Sequence, residues 1–136
     1  MSQYHLQCIG HVHSPLLERS SAPKQGFEGS PLATIVFEPE YFDALADLSV
    51  GDEIIVLTWL DRARRDVLKV HPRDDTRIPL TGVFSTRSPD RPNPIGLHLV
   101  KVEAILDPLQ IRVRDLEALH MTPVIDVKPV LKRAEA

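Results

Sequence analysis

Between Gly82 and Gly96 the chain reads Gly-Val-Phe-Ser-Thr-Arg-Ser-Pro-Asp-Arg-Pro-Asn-Pro-Ile-Gly, which sets Arg87 and Arg91 among hydroxyl side chains and prolines. A guanidinium is a planar, permanently charged fork that matches a carboxylate or phosphate with two parallel hydrogen bonds. Pro89, Pro92 and Pro94 each fix their own φ near about −65° and offer no N–H to a sheet. They also hold Ser88, Arg91 and Asn93 out of helix. The side chains are thus presented on a stiff loop, and stiffness in place before a ligand arrives lowers the entropic cost of binding. The segment reads as a binding site.

A second set of cations lies upstream. Residues 61–91 hold eight of the sixteen Lys and Arg residues against five acids, a local +3 in a chain of net charge −3. Such a face suits a phosphate backbone or an anionic ligand. A solvated surface is the equal alternative for Arg62, Arg64 and Arg65, because Asp61 and Asp66 neutralise part of the field. The net negative charge argues against a protein that coats nucleic acid. Ser85, Thr86 and Ser88 form no Ser/His/Asp set by local pattern, so hydrolase chemistry is not expected.

His11-Val12-His13 would place two imidazoles on one face of a strand, but His5, His71, His98 and His120 are scattered and no Glu completes a cluster. No metal is expected. Cys8, the only cysteine, excludes an intrachain disulfide and reads as a core thiol in an early apolar strand.

These groups must be positioned by short strands. Apolar runs separated by turn signals fall at Leu6–Val12, Leu32–Phe37, Glu53–Leu60, Val67–Val70, Thr81–Ser85, Leu97–Leu106, Gln110–Arg114 and Val124–Val130. The class is mainly β, a sandwich or barrel. The unbroken Ile54-Ile55-Val56-Leu57 run suits a central strand buried on both faces. One short helix is expected, opening at Pro39 with Tyr41, Phe42, Leu45 and Leu48 at helical spacing and ending before Gly51. At 136 residues and 43% apolar content the chain is expected to form a single domain over 1–136. It has no membrane-length apolar run and no signal-peptide pattern, so a cytoplasmic location is expected. The absence of a Gly-x-Gly-x-x-Gly after a strand excludes the common nucleotide-binding α/β fold. Ser14–Pro31 is the loosest stretch, long enough to suggest a functional loop.

The 82–96 segment resembles the signature of the TsaA-like (TrmO) family. Ile9-Gly10 through Ser14-Pro15, Pro23-Lys24-Gln25, and Thr122-Pro123-Val124-Ile125-Asp126-Val127-Lys128-Pro129 extend the likeness over almost the whole chain. The resemblance implies a β-barrel that binds S-adenosyl-L-methionine, forms a homodimer and methylates tRNA at N6 of a threonylcarbamoyl-adenosine beside the anticodon. It places cofactor contacts at Pro23, Lys24, Gln25, Asp61, Arg62, Arg87, Leu97, Leu119, His120, Met121 and Thr122. Arg87 is then the partner of the methionine carboxylate, with a brace across the loop as its alternative role. Asp126 or Asp61 is the candidate base for the acceptor N–H, Asp126 being alternatively a buried anchor for the last strand. Arg64, Arg65 and Arg91 are the candidate substrate contacts, and Asn93 reads as structural through an Asx-type turn.

The chain departs from the family pattern at the expected pocket. His120-Met121-Thr122-Pro123 stands where the family has Asp-Gly-Thr-Pro, and Met121 replaces a glycine whose loss matters if that backbone needs φ > 0. Asp61 stands where a histidine is common and Val130 where a tyrosine follows Lys-Pro, and the likeness leads to the expectation of a short form without the family's longer C-terminal extension. Three functions are compatible: an RNA methyltransferase, a non-catalytic S-adenosylmethionine-binding module, or a methyltransferase for a small molecule or protein.

Overall fold

The computed structural model describes residues 2–18 and 32–131. Six antiparallel strands close into a barrel: β1 (Gly10–His13), β2 (Ala33–Phe37), β3 (Glu53–Trp59), β6 (Ile95–Asp107), β7 (Gln110–Arg114) and β8 (Pro123–Pro129). Their order around the wall is β1-β2-β7-β6-β3-β8. Closure leaves no edge in this sheet, so backbone pairing is used up within the molecule. The two remaining strands, β4 (Lys69–Val70) and β5 (Thr81–Gly82), pair only with each other.

The barrel follows from period-two burial. Along β6, Gly96, His98, Val100 and Val102 are buried while Ile95, Leu97, Leu99 and Lys101 are exposed. β3 alternates too, with Ile54, Val56 and Thr58 inside and Ile55, Leu57 and Trp59 half-buried. The expectation of a strand buried on both faces is therefore corrected: among the described residues no second layer covers the outer wall, and the consecutive aliphatics put Ile55 and Leu57 on it, half-buried. Val12, Ile35, Ile54, Val56, Val102 and Val113 are among the residues that fill the interior. β-Branched side chains suit a pleated, tightly curved wall. Gly10 lets β1 close on β2, since a Cβ there would stand 2.5 Å from the Val36 carbonyl oxygen.

Other boundaries shift for local reasons. β1 begins at Gly10 instead of Leu6, and Cys8 is exposed, donating its S–H to the Gly10 carbonyl at 3.2 Å; the core-thiol expectation is overturned. The Pro39–Leu45 helix is a 3-10 segment broken at Tyr41 (φ −102°). It has no fully buried residue, but Leu45 and the following Leu48 pack on the core. Two shorter 3-10 turns, Pro72–Asp74 and Val83–Ser85, were not foreseen. The second cuts short the strand expected over Thr81–Ser85.

Strand direction sorts the loops. The ends of β1, β3 and β7 and the starts of β2, β6 and β8 meet at one rim, shown by the pairs His13↔Thr34, Trp59↔Ile95, Ala33↔Val113 and His11↔Pro123. That rim carries residues 14–18, 60–94 and 115–122. The opposite rim carries the 3-10 segment and the Ser49–Asp52 turn.

Candidate functional site at the proline-rich rim

The 82–96 loop is built around Arg91. Its guanidinium donates to the carbonyls of Val83, Thr86 (2.6 Å) and Ser88 (2.8 Å), and its backbone N–H donates to the Arg64 carbonyl at 3.0 Å. Val83 is buried beneath the loop and donates its own N–H to the Leu68 carbonyl at 2.9 Å. Charged donors on carbonyls are stronger than neutral pairs, so Arg91 acts as the internal frame of the loop. The brace considered for Arg87 is made by Arg91 instead.

The 60–66 segment locks onto the same loop. Arg65 donates to the Pro92 carbonyl at 2.7 Å and to Asn93 Oδ1 at 2.9 Å, and its guanidinium lies 5.1 Å from the Trp59 ring centre. Arg64 donates its backbone N–H to Asp90 at 2.9 Å and its side chain to Asp66 at 3.1 Å. The hydrogen bond from Arg64 holds the Asp66 carboxyl below its ordinary range. Arg62 reaches the Leu17 carbonyl at 2.7 Å, tying the rim to the N-terminal segment. The Leu119–Thr122 turn clasps that segment from the other side. Met121 N–H donates to Val12 at 2.6 Å, His120 N–H to Leu16 at 2.7 Å, and Ser14 N–H to His120 Nδ1 at 3.2 Å.

Arg87 and Asp61 take no part in this network. Both are exposed, and among the described residues neither side chain has a hydrogen-bond or ion-pair partner. Every other arginine from 60 to 94 is engaged. A free guanidinium on a braced loop can take a carboxylate with both donor rows, and a free carboxylate can accept a proton or a hydroxyl.

Leu97 lies on the outer wall of β6, 46% exposed, paired with Leu57 of β3. Met121 holds φ +69°, the left-handed conformation that the glycine departure raised as a concern, and it does so with a side chain. Asp126 also faces outward, opposite Leu57, with its carboxylate 3.1 Å from Lys128 Nζ and accepting the Val127 N–H. At 46% exposure it is no buried anchor. Thr58, Trp59 and Leu60 separate its level on the wall from Asp61, and it lines a different cavity, on the Ile9, Phe37 and Leu48 side. Pro23, Lys24 and Gln25 lie outside the described residues. His13 and His120 meet edge to face with ring centres 5.3 Å apart, whereas His11 turns to Cys8. Among the described residues no three potential metal ligands converge.

Sequence reasoning missed one polar group of this rim. Thr58 Oγ1 lies 2.7 Å from His98 Nε2, and His98 Nδ1 lies 2.7 Å from Glu117 Oε1, inside the wall. The usable signal was His98 at an inward position of an alternating strand.

Residues 11–136 match the family model described as the tRNA-methyltransferase O N-terminal domain. A probable S-adenosyl-L-methionine-binding protein of Methanothermobacter thermautotrophicus is 48% identical over 121 residues, covering 89% of this chain and 85% of the relative. An S-adenosyl-L-methionine-binding protein of Archaeoglobus fulgidus is 43% identical over 123 residues, covering 90% and 86%. The crystal structure of TrmO from Pseudomonas aeruginosa superposes with a TM-score of 0.76 at 25% identity, covering 99% of this chain and 59% of that one. A second TrmO crystal structure gives 0.77 at 27%, with 99% and 61% covered. The chain thus spans about three-fifths of the solved TrmO chains.

Proposed function

The chain belongs to the tRNA-methyltransferase O N-terminal-domain family, and on that premise we propose that it binds S-adenosyl-L-methionine at the proline-rich rim and transfers its methyl group to RNA. The observation that carries this reading is Arg87, a guanidinium with no partner among the described residues on a loop whose other arginine, Arg91, is committed to holding its shape. The donor set suits the ligand. Arg87 holds the amino-acid carboxylate, Leu97 offers an apolar surface that excludes water, and the backbone of Leu119–Thr122, together with Arg62, bounds the pocket.

When bound, the cofactor supplies an electrophilic methyl group on a sulfonium. Methyl transfer cancels that positive charge, so the protein's work is alignment and exclusion of water. Asp61 takes the proton released from an acceptor N–H, because it is a carboxylate beside the loop with no partner among the described residues. The substrate class we propose is tRNA, with N6 of a threonylcarbamoyl-adenosine beside the anticodon as the acceptor. The exposed Arg64 side chain and the basic 60–94 surface contact phosphate. We further propose a homodimer, in which the outward Ile95 and Leu99 of β6 are covered by a second copy.

One observation favours a second reading, cofactor binding without turnover. Met121 places a side chain on the turn that would face the cofactor, at a left-handed backbone position that a Cβ disfavours.

Calorimetric titration of S-adenosylmethionine into wild type and Arg87→Ala, followed by transfer of labelled methyl to a tRNA pool, tests the proposal. Binding lost in the variant and label in nuclease-sensitive material support it. Tight binding with no transfer to any RNA pool selects the second reading. Activity that survives nuclease treatment turns attention to a small-molecule or protein acceptor.

A further inference from the structure

We infer that the buried chain Thr58–His98–Glu117 is a positioning device for the cofactor site, an inference that rests on the S-adenosylmethionine reading above. Thr58 is wholly buried, His98 is 4% exposed and Glu117 17% exposed, so the three groups form a polar line running from the barrel interior to the rim. Thr58 is too deeply enclosed to act as a nucleophile.

The members of this chain sit beside three of the four described segments assigned to the cofactor, all but Arg87. Thr58 is the last inward residue of β3, three before Asp61. His98 follows Leu97 in β6, and Glu117 precedes the Leu119–Thr122 turn. A single imidazole, bonded at both nitrogens, therefore joins β3, β6 and the turn. Hydrogen bonds are directional where aliphatic contacts are not, so they fix the rotation of these segments as well as their packing. Leu116 and Ala118 are buried on either side of Glu117 and already secure the depth of the segment, leaving its angle to the carboxylate.

Two backbone features make room for the device. A Cβ at Gly96 would stand 2.4 Å from Thr58 Oγ1 and 2.6 Å from His98 Nε2, so the glycine clears the space in which the bond forms. The pairing of β3 with β8 shifts register between Leu57 and Thr58, at the level of the threonine. The turn itself depends on outside support, since Met121 holds φ +69°. Buried polar groups that lose a partner are costly, so the chain functions as a unit.

The test uses Thr58→Val, which removes the hydroxyl at constant shape, Thr58→Ser as its conservative rescue, and Glu117→Gln. Ile35→Val serves as a core change on β2, outside the chain. Affinity for S-adenosylmethionine is measured by calorimetry and stability by urea unfolding on the same samples. The ring nitrogens of His98 are followed by NMR. Thr58→Val and Glu117→Gln are expected to raise Kd about tenfold, with Thr58→Ser returning to within about twofold of wild type. Ile35→Val is expected to lower stability and leave Kd in place, and cofactor addition to wild type is expected to shift the His98 signals. Should Thr58→Val fail to fold, Glu117→Gln at the partly exposed end carries the test. Wild-type affinity in both variants, or an equal loss in Ile35→Val at matched stability, overturns the inference while leaving the cofactor reading intact. A wild type that binds no S-adenosylmethionine overturns both.

Discussion

The two rims of the barrel differ in what they hold ready. The rim bearing the 3-10 segment has the larger void, a cavity of about 880 Å³ floored by Ile9, Phe37, Leu48 and Ile54. Its neighbouring polar groups are satisfied locally, as where Asp52 accepts the Ser49 N–H at 2.9 Å. Among the described residues the proline-rich rim has a cleft of about 220 Å³ beside Phe84, and there Arg87 and Asp61 have no hydrogen-bond or ion-pair partner. Empty volume marks where side chains fail to fill space, whereas a recognition site is marked by oriented charge that folding has left unused. The pair Arg87 and Arg91 repeats the lesson within one loop: one builds the site and the other is free to serve it.

The largest expected effect comes from removing the builder. Arg91→Ala strips several carbonyls of a charged donor, and a loss of about 3 kcal/mol is expected in urea unfolding, with cofactor binding lost as the loop relaxes. An unchanged unfolding midpoint would show that the prolines hold the loop alone. Arg87→Ala should do the reverse. We expect affinity for S-adenosylmethionine to fall by about 2 kcal/mol while stability stays within about 0.5 kcal/mol, because among the described residues no hydrogen bond or ion pair of Arg87 is lost.

Met121→Gly sharpens the contrast between a turn held by its neighbours and one that holds itself. Glycine accepts φ +69° without strain, so a gain of about 0.5–1 kcal/mol is expected in thermal unfolding. A loss would mean that Met121's side chain packs more than its 46% exposure suggests.

The smallest effect is expected from the exposed ion pairs. Hydrogen bonds from Arg64, Arg77 and Arg114 hold the carboxyls of Asp66, Asp75 and Glu103 below their ordinary ranges. Because these values are lowered on folding, the pairs contribute stability above the unfolded-state pKa and lose it as pH falls through the lowered folded value. Their contribution should be level from pH 8 to about 5 and decline only below about 4. All three pairs are exposed, so the acid-side decline should be slight and should shrink in high salt. Urea midpoints at pH 3 and 7, with and without added salt, measure it.

How much of this was legible depended on the range of the interaction. Gln110–Arg114 was read with the bounds the structure shows, because alternation and flanking turns are local. The Thr81–Ser85 expectation overshot, because the 3-10 turn at Val83–Ser85 is stabilised by Arg91, several residues further on. Of the two roles expected for Asp126, base or buried anchor, the second fails because the β3–β8 register sets it opposite Leu57, with its side chain 46% exposed and 3.1 Å from Lys128.

The amino-acid order alone determined a mainly β chain with a stiff, arginine-bearing loop, because proline geometry and period-two patterning act within a few residues. Only the tertiary structure decided which arginine is free, that His98 is enclosed between Thr58 and Glu117, and that Ser14 meets His120. Those partners lie 40, 19 and 106 residues apart in the chain. Their meeting is fixed by strand register and barrel closure, which no local window contains.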